Sequence, residues 1–154
     1  MNVALKSARR EDLPILMRFV HAFQRLDQRP FNLHRTEQAL LPLLTSTERG
    51  RVWIIEAGGR PVGYLALCYG YSLQSGGREA LIDGFYLEEE FRRRGIGTGV
   101  LRQVLGEARA AGVVSLHARP GTAGEDLARR LFLAAGLKPA AQGPALSAEL
   151  PQAG

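Results

Sequence analysis

A chain of 154 residues is long enough for one domain with a proper core, and a single domain over residues 1–154 is expected. Hydrophobic residues make up 45% and charged residues 23%, which excludes a disordered or fibrous chain. The formal charge of +5 suits an anionic partner, but the basic residues are scattered and not interleaved with aromatics, so no nucleic acid is expected. No segment is apolar and long enough to span a bilayer, and the first ten residues lack the apolar core of a signal peptide. Cys68 is the single cysteine, which excludes an intrachain disulfide and points to a reducing compartment, the cytoplasm.

Val3 to Ser7 reads as a first strand. Arg10-Glu11-Asp12-Leu13-Pro14 opens a helix, with acidic residues and a tolerated proline in its first turn. Leu13, Leu16, Met17, Val20, Phe23 and Leu26 share one helical face. Thr36 caps a second helix running to Leu44, with Ala39, Leu40, Leu43 and Leu44 inward and a kink or short helix expected at Pro42. Arg51 to Glu56 and Val62 to Tyr71 are strands joined by the tight turn Gly58-Gly59-Arg60-Pro61. Residues 72–78 turn again, and Glu79 to Leu87 is a further strand. Val100 to Ala111 is helical, with Val100, Leu101, Val104, Leu105 and Ala108 inward and Gly112 as its stop. Val113 to Ala118 is a strand, and Glu125 to Ala135 a helix stopped by Gly136. Leu137-Lys138-Pro139 and Ala145 to Leu150 read as edge strands. The order β-α-α-β-β-β-α-β-α-β-β implies an α/β (α+β) fold, a mixed sheet with helices on both faces.

Arg92-Arg93-Arg94-Gly95-Ile96-Gly97-Thr98-Gly99 stands between a strand and a helix. The first amides of a helix lack intrahelical partners, the macrodipole adds partial positive charge there, and glycines admit close approach of a phosphate. The stretch is not a dinucleotide fingerprint. Its third glycine position is Val100, and no acidic residue stands about 20 positions further on. Nor is it a P-loop, because no lysine follows the glycines.

The run Phe85-Tyr86-Leu87 through Leu101 resembles motif A of the GCN5-related N-acetyltransferase (GNAT) superfamily, [RQ]-x-x-G-x-[GA], carried here by Arg92, Gly95 and Gly97. Residues 128–137 are similar to the family's A-x-x-L-Y-x-x-x-G-F helix, and residues 9–16 to its opening. The element order is similar across nearly the whole chain. The segment from Tyr71 to Asp83 looks like that of a small bacterial branch. The resemblance implies a mostly antiparallel central sheet flanked by helices. It implies acetyl-CoA as donor and a primary amine of a small molecule or peptide as acceptor. Dimers are common in the family, so a homodimer is a further expectation.

CoA carries a pyrophosphate, which the amides of Arg94 to Gly99 could hold. Dipole and amide contributions at a helix start are each worth roughly 0.3–1 kcal/mol when exposed and up to about 2 when partly buried, so several must converge. At least one of Arg92, Arg93 and Arg94 is expected on phosphate oxygens; the plain alternative is a solvated basic face. The resemblance implies that the pantetheine arm lies along the backbone of Phe85, Tyr86 and Leu87, by β-augmentation. It extends the cofactor contacts through Ile96, Gly97, Thr98 and Gly99 to Glu125 and Phe132.

Attack on a thioester needs a neutral amine, so a base or a water wire is required. The resemblance gives this role to Asp83. The plain alternative is an edge residue or a partner for Arg78. In the similar branch a Glu often follows that Asp, and here the position is Gly84. The family's usual acid, a helix tyrosine, is replaced by Phe132. Thiolate is a fair leaving group, so Tyr86 or water could serve instead. The acceptor site implied by the family lies between the first two helices and the turn at residues 72–78, with Phe23, Asp27, Tyr69, Tyr71 and Arg78 as its residues. Tyr64, Tyr69, Tyr71 and Trp53 alternate along two strands, mostly as sheet packing. His117 reads as structural or as a proton relay, and Cys68 as a small core residue. His21 and His34 lack metal-ligand spacing, so no metal is expected. Glu88-Glu89-Glu90 reads as a solvated turn. Phe132 and Gly84 also motivate an alternative, a catalytically silent acyl-CoA-binding domain.

Overall fold

The computed structural model describes residues 2–118 together with Arg129, Arg130 and Leu133, whose backbone is helical. Strands β1 (Val3–Ser7), β2 (Gly50–Ala57), β3 (Arg60–Ser72), β4 (Gly77–Leu87) and β5 (Val113–Ala118) form one sheet in chain order. The first four pair antiparallel and β4 pairs β5 in parallel, so the sheet is mixed and mostly antiparallel, as expected. Helices α1 (Leu13–Leu26) and α2 (Leu33–Thr45) follow β1, and α3 (Ile96–Ala110) joins β4 to β5. The helix expected at residues 125–135 and the edge strands at 137–139 and 145–150 lie outside the described residues.

The sheet is buried on both faces. Successive side chains of a strand point to opposite sides. In β2, Trp53 and Ile55 join a core with Leu65, Leu67, Val100, Leu101 and Val104, on the α3 side. Val52 and Ile54 join a second core with Leu16, Phe19, Val20, Leu40 and Tyr64, on the α1–α2 side. This is why β2 reads as a continuous apolar run rather than an alternating one.

Expectations change in each of the three helices. On α1, Phe19 is buried while Leu26, expected inward, is 52% exposed. Helix α2 starts earlier than expected: its cap is Asn32, whose Oδ1 accepts the Arg35 amide at 2.9 Å, and Thr36 lies inside the helix. It also continues through Pro42 to Thr45. The acceptor that Pro42 cannot satisfy belongs to exposed Gln38, within reach of water, and Thr45 Oγ1 donates to the Leu41 carbonyl at 3.0 Å in the last turn. Helix α3 begins at Ile96 rather than Val100, so the second half of the glycine stretch is its first turn.

Candidate active site

Strand β4 carries the site, and its two ends have different chemistry. At the C-terminal end the chain leaves the sheet after Leu87, with the Glu88 amide donating to the Val62 carbonyl at 2.8 Å. A 3-10 turn, Glu89–Phe91, leads into the arginines. Arg92 folds back on the strand: its Nε donates to the Leu87 carbonyl at 2.7 Å, and its guanidinium lies over the Tyr86 ring, 5.4 Å from the centroid. Arg93 and Arg94 are exposed, with Arg94 5.9 Å from the Phe91 ring centroid. Of the three arginines, at least one of which is expected on phosphate, Arg92 fastens the loop, while Arg93 and Arg94 face solvent. Arg60 pairs with Glu90 at 3.0 Å and with Glu88 at 3.8 Å, tying the acidic turn to the β2–β3 hairpin. Such exposed pairs contribute only about 0–1 kcal/mol each.

The loop turns into α3 through Arg93 and Gly95, both left-handed at φ 61° and 78°. Glycine takes that conformation freely, whereas at Arg93 it costs on the order of 1 kcal/mol or more. The first backbone bond of α3 runs from the Gly99 amide to the Gly95 carbonyl at 3.2 Å. The amides of Ile96, Gly97 and Thr98 thus open the helix without intrahelical acceptors. No Cβ contact would arise within 4 Å at Gly95 or Gly99, so the space beside the turn is open there. Three amides, a helix dipole and two solvent-facing guanidiniums fit a diphosphate.

Between the two ends, β4 is bulged. The described ladder ends at Ile82 opposite Ala118, while β4 continues along β3 to Leu87 opposite Gly63. The edge of Phe85 to Leu87 that faces away from β3 has no ladder partner among the described residues. The very next residue after Ile82 is Asp83. Ala66 pairs with Gly84 and Leu67 with Ile82, so Asp83 is the inserted residue of a β-bulge, and it is exposed. A bulge bends its strand and re-aims a side chain at this point.

The α1 side of the bulge is built by two aromatic contacts. Phe19 meets Tyr86 at 5.9 Å, and Phe23 meets Tyr64 edge-on at 6.3 Å. Tyr64 is 3% exposed, and its phenol lies against Gly84. Burial pushes the Tyr64 phenol far above the usual range, and the negative charges of Asp83 and Asp27 push it further. Both carboxylates therefore lie within electrostatic reach of one hydroxyl. Asp27 is the C-cap of α1, and its Oδ1 is buried without a hydrogen-bond partner, as is Oε1 of Gln24.

Phe23 and Tyr86 are thus placed on the α1 side of the strand that carries Asp83, and Asp27 ends the same helix as Phe23. Tyr69, Tyr71 and Arg78 are not with them. Tyr69 packs on the α3-side core with Arg78 over its ring at 4.9 Å. Its hydroxyl is buried without a partner, and burial pushes its pKa up against the opposing pull of Arg51 and Arg78. Arg78 donates to the Ala111 carbonyl at 3.3 Å, and Tyr71 stands 79% exposed near the hairpin end. His117 meets Glu79 at 3.2 Å and Ser115 at 3.1 Å, both through Nε2. A nucleophile relay needs a different ring nitrogen for each partner, so this is an inter-strand clasp. Glu125 and Phe132 lie outside the described residues.

The acetyltransferase (GNAT) family profile matches residues 16–136. The chain belongs to this family. It is an acetyltransferase by family, and GNAT enzymes use acetyl-CoA. Three solved structures show the same fold. An integron cassette protein from the mobile metagenome of Cole Harbour Salt Marsh superposes with TM-score 0.82 at 25% identity, over 96% of this chain and 91% of its own. A Clostridium difficile 630 protein described as a possible acetyltransferase gives 0.79 at 14%, over 97% and 99%. A Clostridium acetobutylicum protein described as a predicted acetyltransferase, with acetyl-CoA, gives 0.76 at 17%, over 95% and 96%. No curated protein matches significantly in sequence. Among the described residues, no helix is long and apolar enough to cross a membrane, and no three His, Cys, Asp or Glu side chains group as metal ligands.

One contributor escaped the sequence reading: Tyr64 looked like one more packing aromatic. The signal for Tyr64 was Gly84 on the neighbouring strand: a glycine inside a strand often marks the close approach of another group.

Proposed function

We propose that this acetyltransferase moves an acetyl group from acetyl-CoA to a primary amine of a small molecule or peptide, by direct attack of the amine on the thioester. The observation that carries this reading is the sequence of events along β4. A bulge in its pairing with β3 sets a carboxylate at Asp83 outside the regular ladder. Phe85 to Leu87 then lead through the arginine turn to the amides of Ile96 to Thr98, which open α3 without intrahelical acceptors.

Acetyl-CoA supplies the activated acyl group. Ile96, Gly97 and Thr98 offer amides to its diphosphate, Gly95 and Gly99 leave room for it, and Arg93 and Arg94 add charge. Phe85, Tyr86 and Leu87 offer the strand edge, with Arg92 fastening the loop behind it. Asp83 takes the proton of the acceptor ammonium, directly or through water, leaving the neutral amine that forms the new amide bond. Tyr86 is the candidate donor of the proton that restores the thiol, with solvent as the alternative source. Phe23 and Asp27 line the acceptor side. The solitary Cys68 fits action in the cytoplasm.

Incubation with acetyl-CoA and a panel of primary amines, read by release of free thiol, tests the proposal. Amine-dependent release is expected. Acetyl-CoA binding without release from any amine would instead favour the silent acyl-CoA-binding domain.

A further inference from the structure

Strand β4 changes face inside its bulge. Ile82 packs in the core on the α3 side. Gly84, two residues on, lies against the phenol of Tyr64, which belongs to the core on the α1–α2 side. Strict alternation would put residues 82 and 84 on one face. Asp83, inserted between them, is exposed while both neighbours are buried. The bulge at Asp83 and the contact between Gly84 and Tyr64 are therefore one arrangement. A strand drawn back into regular register would carry Gly84 to the other face, away from the phenol.

Hydrogen bonding along the ladder does not favour the bulge, because the inserted residue is left unpaired and the ladder is locally disrupted. Packing favours it. Tyr64 is 3% exposed, stands opposite Tyr86 in the pairing of β3 with β4, and meets Phe23 of α1 edge-on at 6.3 Å. An ideal Cβ on Gly84 would lie 2.9 Å from Tyr64 Cζ, 3.0 Å from Cε2 and closer still to the hydroxyl. The tip of the phenol is thus the part that meets the bulged backbone.

We propose that Tyr64 is a positioning residue for acetyl transfer: its phenol, packed on Gly84 and braced by Phe23, holds the bulge that aims the Asp83 carboxylate at the acceptor amine. The inference rests on the reading of Asp83 as the base and adds a residue that acts through it. Tyr64 is too deeply buried to meet either reactant itself. The amides of Ile96 to Thr98 lie beyond the arginine turn, outside this packing, so loosening the bulge costs turnover rather than acetyl-CoA affinity.

The test is a double-mutant cycle between Tyr64→Phe and Asp83→Asn, read as kcat by thiol release with an amine that the parent protein acetylates, and as acetyl-CoA affinity by calorimetry. Tyr64→Phe keeps the ring and removes only the hydroxyl. Alone it should lower kcat about ten-fold, since a small misplacement of a reacting group can cost up to about 100-fold, and leave acetyl-CoA affinity unchanged within about two-fold. On top of Asp83→Asn it should lower kcat by less than about two-fold, because the group it positions is gone. Gly84→Ala crowds the same phenol and should show the same dependence on Asp83, which keeps the proposal testable if Tyr64→Phe does not fold. Wild-type kcat in Tyr64→Phe beside a lowered kcat in Asp83→Asn overturns the role of Tyr64 and leaves Asp83 as the base. An equal loss from Tyr64→Phe in both backgrounds, or a matching loss of acetyl-CoA affinity, marks general loosening and overturns it too. Wild-type kcat in Asp83→Asn removes the reading of Asp83 as the base, and this proposal with it.

Discussion

The phenol of Tyr64 occupies the place where a side chain at Gly84 would begin. An ideal Cβ on Gly84 would lie 2.9 Å from Tyr64 Cζ and closer still to the hydroxyl. The glycine next to the candidate base is therefore one half of a packed pair rather than simply a missing acid. Gly84→Ala should cost about 1–3 kcal/mol by overpacking, lowering Tm by roughly 3–10 °C. Combining it with Tyr64→Leu, which removes the obstructing ring, should cost clearly less than the sum of the two single changes. Thermal unfolding of the four proteins checks this, and strict additivity would contradict the pairing.

The same burial fixes the ionisation of Tyr64. Its folded pKa is raised, so above about pH 10 the unfolded chain gives up a proton that the native state keeps. The stability this contributes is complete below about pH 10 and is lost as pH rises beyond it. Spectrophotometric titration should find one of the four tyrosines ionising only with unfolding, and Tyr64→Phe should remove that component. Four phenols titrating freely near pH 10 would contradict the buried placement.

Arg92 and its neighbours should behave differently. Arg92→Ala removes the bond to the Leu87 carbonyl and the contact with Tyr86, so it should lower Tm and raise KM for acetyl-CoA by about ten-fold, on the scale of one charged hydrogen bond. Arg93→Ala and Arg94→Ala should leave Tm nearly unchanged and weaken acetyl-CoA binding by a smaller factor that fades as salt is added. Calorimetry at two ionic strengths distinguishes the roles.

Asp83→Asn should lower kcat by about 100-fold, a typical contribution of a positioned base. It should also remove a base-dependent limb from the pH profile of kcat/KM. If kcat stays at the wild-type value across about pH 7 to 9, Asp83 is not the base. Tyr86→Phe keeps the ring under Arg92 and removes only the hydroxyl, so a selective loss of kcat at constant Tm would mark it as the acid.

Much of this architecture is legible in the sequence because local signals agree with the fold. Val3 to Ser7 and Val113 to Ala118 are strands with the bounds expected of them. The glycine stretch marks the start of α3, although periodicity alone puts the helix at Val100, since Gly97 and Gly99 hide its first turn. What the sequence hides is tertiary. Alternation along β3 sets Tyr64 on the face opposite Tyr69 and Tyr71, but it does not tell which face meets α1 or which tyrosine stands exposed. In the structure Tyr64 faces α1, Tyr69 faces α3, and Tyr71 stands exposed, so Tyr69 falls away from the acceptor side assigned to it. The bulge that places Asp83 is likewise a property of pairing: it exists only where Ala66 meets Gly84 while Leu67 meets Ile82.

The most direct test of the central claim is thiol release from acetyl-CoA across a broad set of primary amines, with Gly97→Glu measured beside the parent protein. A carboxylate at the start of α3 would meet the CoA diphosphate with bulk and like charge. The account predicts amine-dependent release by the parent protein and none above background by a folded Gly97→Glu variant. Release that never exceeds background hydrolysis with any amine, while acetyl-CoA still binds, would contradict it.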